Sequence, residues 1–218
     1  MPVCNMSPMK PIESATRIEV RAAAARLFRK VGFNRATVRD IAKAVGLQSG
    51  SIFYHFDTKE DILVEVMREG MRQFMAVAQA PLPAASTPQA RLRQLLVGHL
   101  NALHSRNSDE LSVVLSEWRS LSPRSRQQIV ILRDAVDATW DRALGELEAE
   151  GLVHGEIRIL RLAILGAANW SLQWYDERGA MTIEQLADEL LGFFLPAAVP
   201  AAVPAARPKA RARGSRPR

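Results

Sequence analysis

Apolar residues recur along most of the chain at intervals of three and four, the spacing that places them on one face of an α-helix. In the stretch SATRIEVRAAAARLFRKVG this face holds Ile18, Ala22 and Phe28, and Gly32 marks the end of the helix. No stretch shows the two-residue alternation of apolar and polar residues that would predict a β-strand. The pattern therefore predicts an all-α protein between residues 14 and 195.

Further helices follow with short breaks. Thr58 is placed to cap a long helix that reaches about Ala78, with Glu60 and Asp61 in its first turn, where acidic side chains suit the helix dipole. PLPAASTP then interrupts the helical pattern. The remaining predicted helices span 89–105, 109–121, 124–150, 156–177 and 182–195.

The segment from Thr37 to Phe56 has the pattern of two short helices joined by a tight turn. Thr37 is the expected N-cap, Asp40 takes the capping-box position, and Gly46 permits the turn. This is the helix-turn-helix arrangement. The positions predicted to face the core are Ile41, Ala42, Val45, Leu47, Ile52, Phe53 and Phe56.

The second short helix leaves Ser49, Gly50, Ser51, Tyr54 and His55 on faces that packing does not need. Short hydroxyls and a glycine at the start of such a helix allow close approach to base edges in a DNA major groove. Gln48 offers a bidentate contact to adenine, and Lys59 lies at a helix N-terminus that suits a phosphate. His55 has no second His, Cys or carboxylate at metal-ligand spacing in this stretch.

These residues also carry a family resemblance. ARLFRKVGFNRATVRDIAKAVGLQSGSIFYHFDTKEDILVEVM, within residues 14–67, resembles the N-terminal three-helix DNA-binding domain of the TetR family of bacterial repressors. The resemblance implies a homodimer on a palindromic operator, with Thr37 and Arg39 near the DNA backbone. It places Gln48, Ser49 and Ser51 toward bases, and Tyr54, His55 and Lys59 on backbone or adjoining bases. The family often has tyrosine where this chain has Phe53, so that hydroxyl is absent.

Two later stretches, LSEWRSLSPRSRQQIVILRDAVDATWDRAL and LAILGAANWSLQWYDERGAMTIEQLADELLGFFL, are similar to the C-terminal domains of TetR-like regulators that respond to acyl-CoA thioesters. This implies a helical-bundle domain at 68–195 that binds a ligand of fatty-acid, steroid or aromatic-acid catabolism. Ligand binding there would shift the helix that joins the two domains. The candidate ligand contacts are Trp118, Arg119, Arg133, Trp140, Asn169, Trp170 and Trp174.

The stretch 156–177 is apolar around nearly its whole circumference, so we expect it to be buried against both its own domain and a partner. With 182–195 it would form a four-helix dimer interface. Trp170 and Trp174 fall one turn apart on this predicted helix, and interface anchoring is as good an interpretation of them as pocket lining. Arg119 and Arg133 fit an anionic ligand or ordinary surface ion pairs.

Charge divides the chain into three blocks. Residues 1–59 hold ten Lys/Arg against four Asp/Glu, residues 60–195 hold thirteen against nineteen, and residues 196–218 hold six bases and no acid. Basic ends indicate a polyanion such as DNA as partner. Residues 1–13 and the Ala/Pro-rich tail 196–218 are predicted to be disordered, and the tail suits either added DNA affinity or simple solubility.

Several other classes find no support in the residues. The single cysteine, Cys4, can form neither an internal disulfide nor a zinc site, and the apolar run LAILGAANW is too short to span a bilayer. No secretory signal, phosphate loop, metal cluster or nucleophile–base motif is present. We therefore predict a cytoplasmic, nucleoid-associated regulator rather than an enzyme, with no cofactor, no metal and no membrane contact.

The alternatives that remain are a repressor of an efflux system that senses lipophilic drugs or free acids, and a general nucleoid-binding protein. The long apolar C-terminal region disfavours the second. The sequence leaves open the operator, the effector, the number of dimers on one operator, and whether the effector releases or promotes DNA binding.

Overall fold

The computed structural model describes residues 15–79, 87–105 and 109–195, and within these ranges the chain is helical with no β-strand, which confirms the predicted all-α class. None of these helices is long and apolar enough to cross a lipid bilayer. The segments 1–13 and 196–218, predicted to be disordered, lie outside the described residues. The helices are α1 (Ala15–Val31), α2 (Val38–Ala44), α3 (Ser49–Ile52), α4 (Lys59–Ala78), α5 (Pro88–His104), α6 (Asp109–Ser116), α7 (Pro123–Ala149), α8 (Ile157–Trp170) and α9 (Ile183–Phe194), with 3₁₀ turns at Trp118–Ser120 and Ser171–Gln173.

The start of α2 is a capping box, as predicted. The Thr37 hydroxyl accepts the Asp40 amide N–H at 3.1 Å, and the Asp40 carboxylate accepts the Thr37 amide N–H at 3.1 Å. Gly46 follows the end of the helix with a φ of 70°, a left-handed conformation that favours glycine. The chain turns there into α3, and Ile41 and Ile52 pack in the core between the two helices and their neighbours. This confirms the helix-turn-helix arrangement.

The helix α3 is shorter than the predicted stretch SGSIFYHF. It ends at Ile52, and the amides of His55 and Phe56 both bond back to the Ile52 carbonyl. In this turn Phe56 is buried, as predicted, but Phe53 is 51% exposed. The prediction that Phe53 belongs to the core is therefore wrong. Ile52 and Phe56 occupy the buried positions of this segment, and the ring of Phe53 lies on its outer side.

The helix α4 belongs both to the N-terminal helical unit and to the C-terminal one. A second capping box at Thr58 and Asp61 starts it, as predicted for Thr58. Its first half buries Ile62 and Val66, and its second half buries Phe74. It packs against α1 and also against α5, α6 and α7. The predicted domain boundary at 67/68 falls inside this continuous helix.

The backbones of α4 and α6 come unusually close at Gly70. A Cβ added there would lie 2.7 Å from Val114 Cγ2 and 3.0 Å from the Glu110 carbonyl oxygen. Real Cβ atoms do not make contacts this short, so only glycine allows the observed separation of the helices. Gly145 in α7 differs, because a Cβ added there meets nothing within 4 Å.

Gly70→Ala is expected to destabilise the protein by about 1–2 kcal/mol, since the cost of overpacking exceeds the gain in helix propensity. Gly145→Ala is the matched control and should stabilise it by about 0.5–1 kcal/mol, because it adds propensity without a clash. Urea unfolding followed by circular dichroism measures both. Equal changes of the same sign in the two variants would contradict the close approach of α4 and α6.

The predicted helix 156–177 ends early, at Trp170. The Ser171 hydroxyl donates to the Ala168 carbonyl at 2.6 Å, and the chain tightens into a 3₁₀ turn, so Trp174 lies beyond the helix. The prediction that Trp170 and Trp174 share a helical face is wrong. In the single chain α8 is buried on one side only, and Ile159 (61%) and Trp170 (66%) are largely exposed.

Candidate nucleic-acid interface and effector cavity

The residues predicted to contact DNA lie in or beside α2, α3 and the start of α4. Six of them are exposed, and Tyr54 is 88% exposed. Ser49 and His55 are half-buried, and the Tyr54 and His55 rings meet edge to face with centroids 5.2 Å apart. The six exposed residues are Thr37, Arg39, Gln48, Gly50, Ser51 and Tyr54. Together they present hydroxyl, amide, guanidinium and phenol groups on one short, tightly turned segment.

Two of the predicted DNA contacts, Thr37 and Lys59, also form hydrogen bonds within the protein. The exposed Thr37 hydroxyl donates to the Asp40 carboxylate at 2.6 Å in addition to its capping bond. The Lys59 ammonium donates to the carbonyls of Phe33 and Ala36, each at 2.9 Å, and lies 4.3 Å from the centre of the Phe33 ring. Lys59 therefore holds the loop between α1 and α2, a role that the sequence did not predict.

The end of α3 is fixed from α1. The Arg17 guanidinium donates to the His55 carbonyl at 2.8 Å and lies 4.4 Å from the centre of the Phe56 ring. A second Arg17 nitrogen lies 3.4 Å from the Glu65 carboxylate on α4. These contacts give the exposed side chains of α3 a rigid base, which specific base recognition requires.

A cavity of about 470 Å³ lies farther along α4, between that helix and α5, α6, α7 and α8. Its walls are mostly apolar, and its volume falls in the range of small-molecule sites. Met71 and Phe74 belong to α4, so the helix that reaches the helix-turn-helix also forms part of the cavity wall. The apolar lining residues are Met71, Phe74, Val114, Leu115, Trp118, Ile129, Val136, Leu162 and Leu165.

Three arginines line the same cavity. Arg161 is buried and compensated, with nitrogens 2.5 Å from Asp137 and 2.7 Å from Asp141. Arg133 lies 5.1 Å from the Trp118 ring centre. Its ion pair with the exposed Asp134 carboxylate is long, at 3.6 Å. Arg158 is exposed, and no described residue forms an ion pair with it. Arg133 and Arg158 are therefore the cations available to a ligand.

The seven predicted ligand residues fall into three groups. Trp118, Arg133 and Asn169 line the cavity. Trp140 is fully buried behind the wall, edge-on to the His99 ring at 5.7 Å. Arg119, Trp170 and Trp174 are exposed and do not line the cavity. For the two tryptophans this leaves the interface interpretation.

The sequence reasoning missed His99. It is not among the residues assigned to the ligand from the sequence, but its side chain is buried and lines the cavity. The ring stacks on Phe74 with centroids 4.7 Å apart, and its Nε2 lies 2.9 Å from Asn169 Oδ1. The available signal was position, since His99 lies three and four residues from buried leucines on α5.

Direct hydrogen bonds join the cavity region to the helix-turn-helix. Glu117, next to the cavity residue Trp118, accepts the amide N–H of Phe33 at 3.1 Å. At the start of α4, Glu60 accepts the amide N–H of Ser122 at 2.8 Å, and hydrogen bonds from Ser125 and Ser122 lower the pKa of Glu60. A change at the cavity wall can therefore reach the loop before α2.

Two family models match the chain. Residues 20–66 match the model described as bacterial regulatory proteins of the tetR family, and residues 85–197 match the model of the Tetracyclin repressor-like C-terminal domain. The second match alone spans just over half of the 218 residues. The chain belongs to the TetR family. It is thus a DNA-binding transcriptional regulator with a ligand-binding C-terminal region, as the resemblance implied.

Individual TetR-like proteins align over most of the chain. The HTH-type transcriptional repressor KstR2 of Mycolicibacterium smegmatis is 28% identical over 194 residues, which covers 87% of this chain and 94% of KstR2. The structure of superantigen PfiT is 39% identical with a TM-score of 0.70, and the match covers 84% of this chain and 97% of PfiT. AibR in complex with isovaleryl coenzyme A and operator DNA has a TM-score of 0.73 at 23% identity, covering 83% and 98%, which shows a shared TetR fold.

Burial of His99 in this TetR-family cavity has a measurable consequence. Desolvation lowers the pKa of His99 from 6.5 to about 4, and the bond to Asn169 only partly opposes this. In the unfolded chain His99 is therefore protonated below about pH 6.5, whereas in the folded chain it stays neutral down to about pH 4. The stabilising contribution is complete above the unfolded pKa and is lost as the pH falls toward the folded one.

The free energy of unfolding is expected to fall by about 2 kcal/mol between pH 7 and pH 5 through His99 alone. Urea unfolding gives the free energy of unfolding of the wild type and of His99→Phe at both pH values. The contribution of His99 is the difference between the two proteins in the slope of this free energy against pH. His154→Gln, which changes an exposed histidine before α8, is the control and should leave the slope unchanged. An equal slope in wild type and His99→Phe would show that His99 is not a buried neutral group.

Proposed function

We propose that this TetR-family chain is a transcriptional repressor that binds a palindromic operator as a homodimer and is released by an acyl-CoA thioester of lipid, steroid or aromatic-acid catabolism. In this proposal residues 14–67 read the DNA, and residues 68–195 bind the effector and dimerise. The observation that carries it is the apolar cavity with Arg133 and Arg158 in its wall, built partly on the helix that reaches the DNA-reading segment.

The composition of the cavity supports a ligand with an apolar body and an anionic end. Apolar walls favour an acyl chain or ring system because burial removes its surface from water. Arg158 is exposed and has no ion pair with a described residue, and Arg133 is exposed with only a 3.6 Å ion pair to Asp134, so both can pair with phosphate or carboxylate. A coenzyme A thioester combines both parts, with its acyl group in the cavity and its phosphates at the mouth.

The exposed apolar side chains of α8 and α9 support dimerisation. Ile159, Leu162 and Trp170 on α8 and Phe193 on α9 are all more than half exposed in the single chain. A patch of this kind is unusual on a monomer and typical of an interface. The predicted segments 156–177 and 182–195 include this face, so we assign the dimer contact to it.

The proposed release uses the contacts between the cavity and the DNA-reading segment. A ligand that displaces Trp118 moves its neighbour Glu117, which holds the Phe33 amide, and one that displaces Phe74 moves α4. The two DNA-reading segments of the dimer then change their separation. Because operator half-sites have a fixed spacing along the duplex, this change weakens operator binding.

Two similar proteins, KstR2 and AibR, also support the proposal. KstR2 is a transcriptional repressor, and AibR was solved with isovaleryl coenzyme A and operator DNA. A TetR fold can therefore hold a short acyl-CoA and a DNA duplex together. The acyl group for this chain is left to experiment.

The test is a thermal-shift screen of the full chain against acyl-CoA thioesters of graded chain length and ring content, free coenzyme A, the corresponding free acids and lipophilic drugs. A ligand that binds only the folded state stabilises it by about 2.7 kcal/mol at a concentration one hundred times its Kd. We expect stabilisation by an acyl-CoA but not by its free acid, and we expect the same compound to release operator DNA in an electrophoretic mobility shift.

Matched variants sharpen this screen. Arg133→Gln and Arg158→Gln remove cations from the cavity wall and should abolish the advantage of the thioester. Arg119→Gln removes an exposed arginine that does not line the cavity and should change nothing. Stabilisation by drugs or free acids alone would replace the acyl-CoA proposal with the efflux or free-acid alternative.

A further inference from the structure

Besides its charged residues, the mostly apolar cavity wall contains one pair of neutral polar side chains. His99 on α5 and Asn169 on α8 both line it, with His99 Nε2 2.9 Å from Asn169 Oδ1. Arg158 lies elsewhere, since it and Asn169 are eleven residues apart on α8, about 16 Å along the helix axis. The pair is therefore separated from Arg158, one of the two cations of the proposed anion-binding end.

The surroundings of His99 fix its orientation and its charge. The ring is held between the Phe74 face at 4.7 Å and the Trp140 edge at 5.7 Å, and only 5% of the residue is exposed. Burial lowers its pKa to about 4, so the imidazole is neutral in the cell and carries one N–H donor. The partner atom is a carboxamide oxygen, which only accepts, so Nε2–H donates to Asn169 Oδ1.

This bond leaves the amide NH₂ of Asn169 to the cavity. No described residue accepts a hydrogen bond from it. A ligand made only of CH groups that fills the cavity would bury these donors without a partner, and such burial is strongly unfavourable. A site that presents a polar group in this way selects ligands that satisfy it.

We propose that Asn169 is a specificity-determining residue that donates from Nδ2 to a carbonyl or hydroxyl oxygen of the effector, and that His99 is the positioning residue that fixes the amide in that orientation. The inference rests on the proposed effector site and deepens it. The effector thus carries an acceptor oxygen within its buried part, supplied either by the thioester carbonyl or by an oxygen on the acyl body.

The test compares ligands that differ by one oxygen. Octanoyl-CoA against S-octyl-CoA removes the thioester carbonyl, and octanoyl-CoA against its analogue with a methyl ketone at the chain end adds an oxygen to the acyl body. The same ketone pair is measured as free acids. Dissociation constants are measured by isothermal titration calorimetry on the full-length wild type and on Asn169→Leu, whose side chain is close in size and has no donor.

In at least one pair we expect the wild type to bind the oxygen-bearing ligand at least about tenfold more tightly. Asn169→Leu should lose this preference while retaining the oxygen-free ligand. His99→Phe should also lose it, whereas His99→Gln, which keeps a donor for Asn169 Oδ1, should preserve part of it. Asn101→Leu changes an exposed asparagine of α5 outside the cavity and should match the wild type.

Equal wild-type affinity within every pair overturns the inference, as does an Asn169→Leu variant that weakens both members of a pair equally. Binding of the free acids alone, with an oxygen preference that Asn169→Leu removes, would sink the acyl-CoA proposal and keep the Asn169 inference. Failure of all the probes to bind would overturn both. Calorimetry on Asn169→Leu therefore separates specificity from a purely structural role.

Discussion

Trp170→Glu is expected to convert a dimer into a monomer and to weaken operator binding by at least about 100-fold. The indole is 66% exposed in the single chain, so the change costs the protomer little of its own stability. In the proposed dimer the same position is buried, and an unpaired carboxylate there is strongly unfavourable. A monomer must bind each half-site separately and loses the avidity of two linked contacts, typically a factor of 10²–10⁴.

Ile131→Glu is the matched control for this prediction. Ile131 is an apolar side chain with the same exposure, 68%, but it lies on α7 rather than on the proposed interface. Sedimentation velocity should give a dimer for the wild type and Ile131→Glu, and a monomer for Trp170→Glu. Circular dichroism should show equal helix content in all three. A dimer that survives Trp170→Glu would place the interface elsewhere.

The double variant Ser49→Ala/Tyr54→Ala is expected to lower specific operator affinity by about 30- to 1000-fold without unfolding the protein. A good base or backbone contact is worth about 1–3 kcal/mol. Both residues belong to the exposed segment around α3, and Tyr54, at 88% exposure, contributes nothing measurable to the core.

This prediction is checked by fluorescence anisotropy with an operator selected from a random DNA pool and with unrelated duplex DNA. The double variant should lose affinity for the operator far more than for unrelated DNA. Arg39→Ala, by contrast, should weaken binding to the operator and to unrelated DNA alike. It should also reduce the slope of log affinity against log salt concentration by about 1, as expected for the loss of one phosphate contact. Unchanged operator affinity in Ser49→Ala/Tyr54→Ala would refute the recognition-helix assignment.

Local rules were sufficient for the helix-turn-helix. The capping box at Thr37, the N-cap at Thr58 and the turn at Gly46 depend on residues a few positions apart, and all three were predicted. Phe53 was assigned wrongly because an aromatic side chain was taken as a core residue, whereas Ile52 and Phe56 already occupy the buried positions of this segment.

The cavity was less predictable because its wall comes from five helices that the sequence places far apart. Trp118, Arg133 and Asn169 were found by resemblance, but the pairing of His99 with Asn169 joins residues 70 positions apart. A lone histidine on a leucine-rich face is compatible with a core, a surface or a site. Only the packing of α5 against α8 distinguishes these outcomes. Arg158 was missed for the same reason.

In the proposed mechanism, the close approach at Gly70 would make α4 a lever that pivots against α6. At a rise of 1.5 Å per residue, Lys59 lies about 16 Å from Gly70 on one arm, and Phe74 lies about 6 Å away on the other. A sideways push of 1 Å on Phe74 would then swing Lys59 by nearly three times as much in the opposite direction. Lys59 grips the Phe33 and Ala36 carbonyls, so the loop before α2 travels with it. In the proposed mechanism, the absence of a side chain at Gly70 would thus set how far a movement at the effector site is amplified at the DNA-binding end.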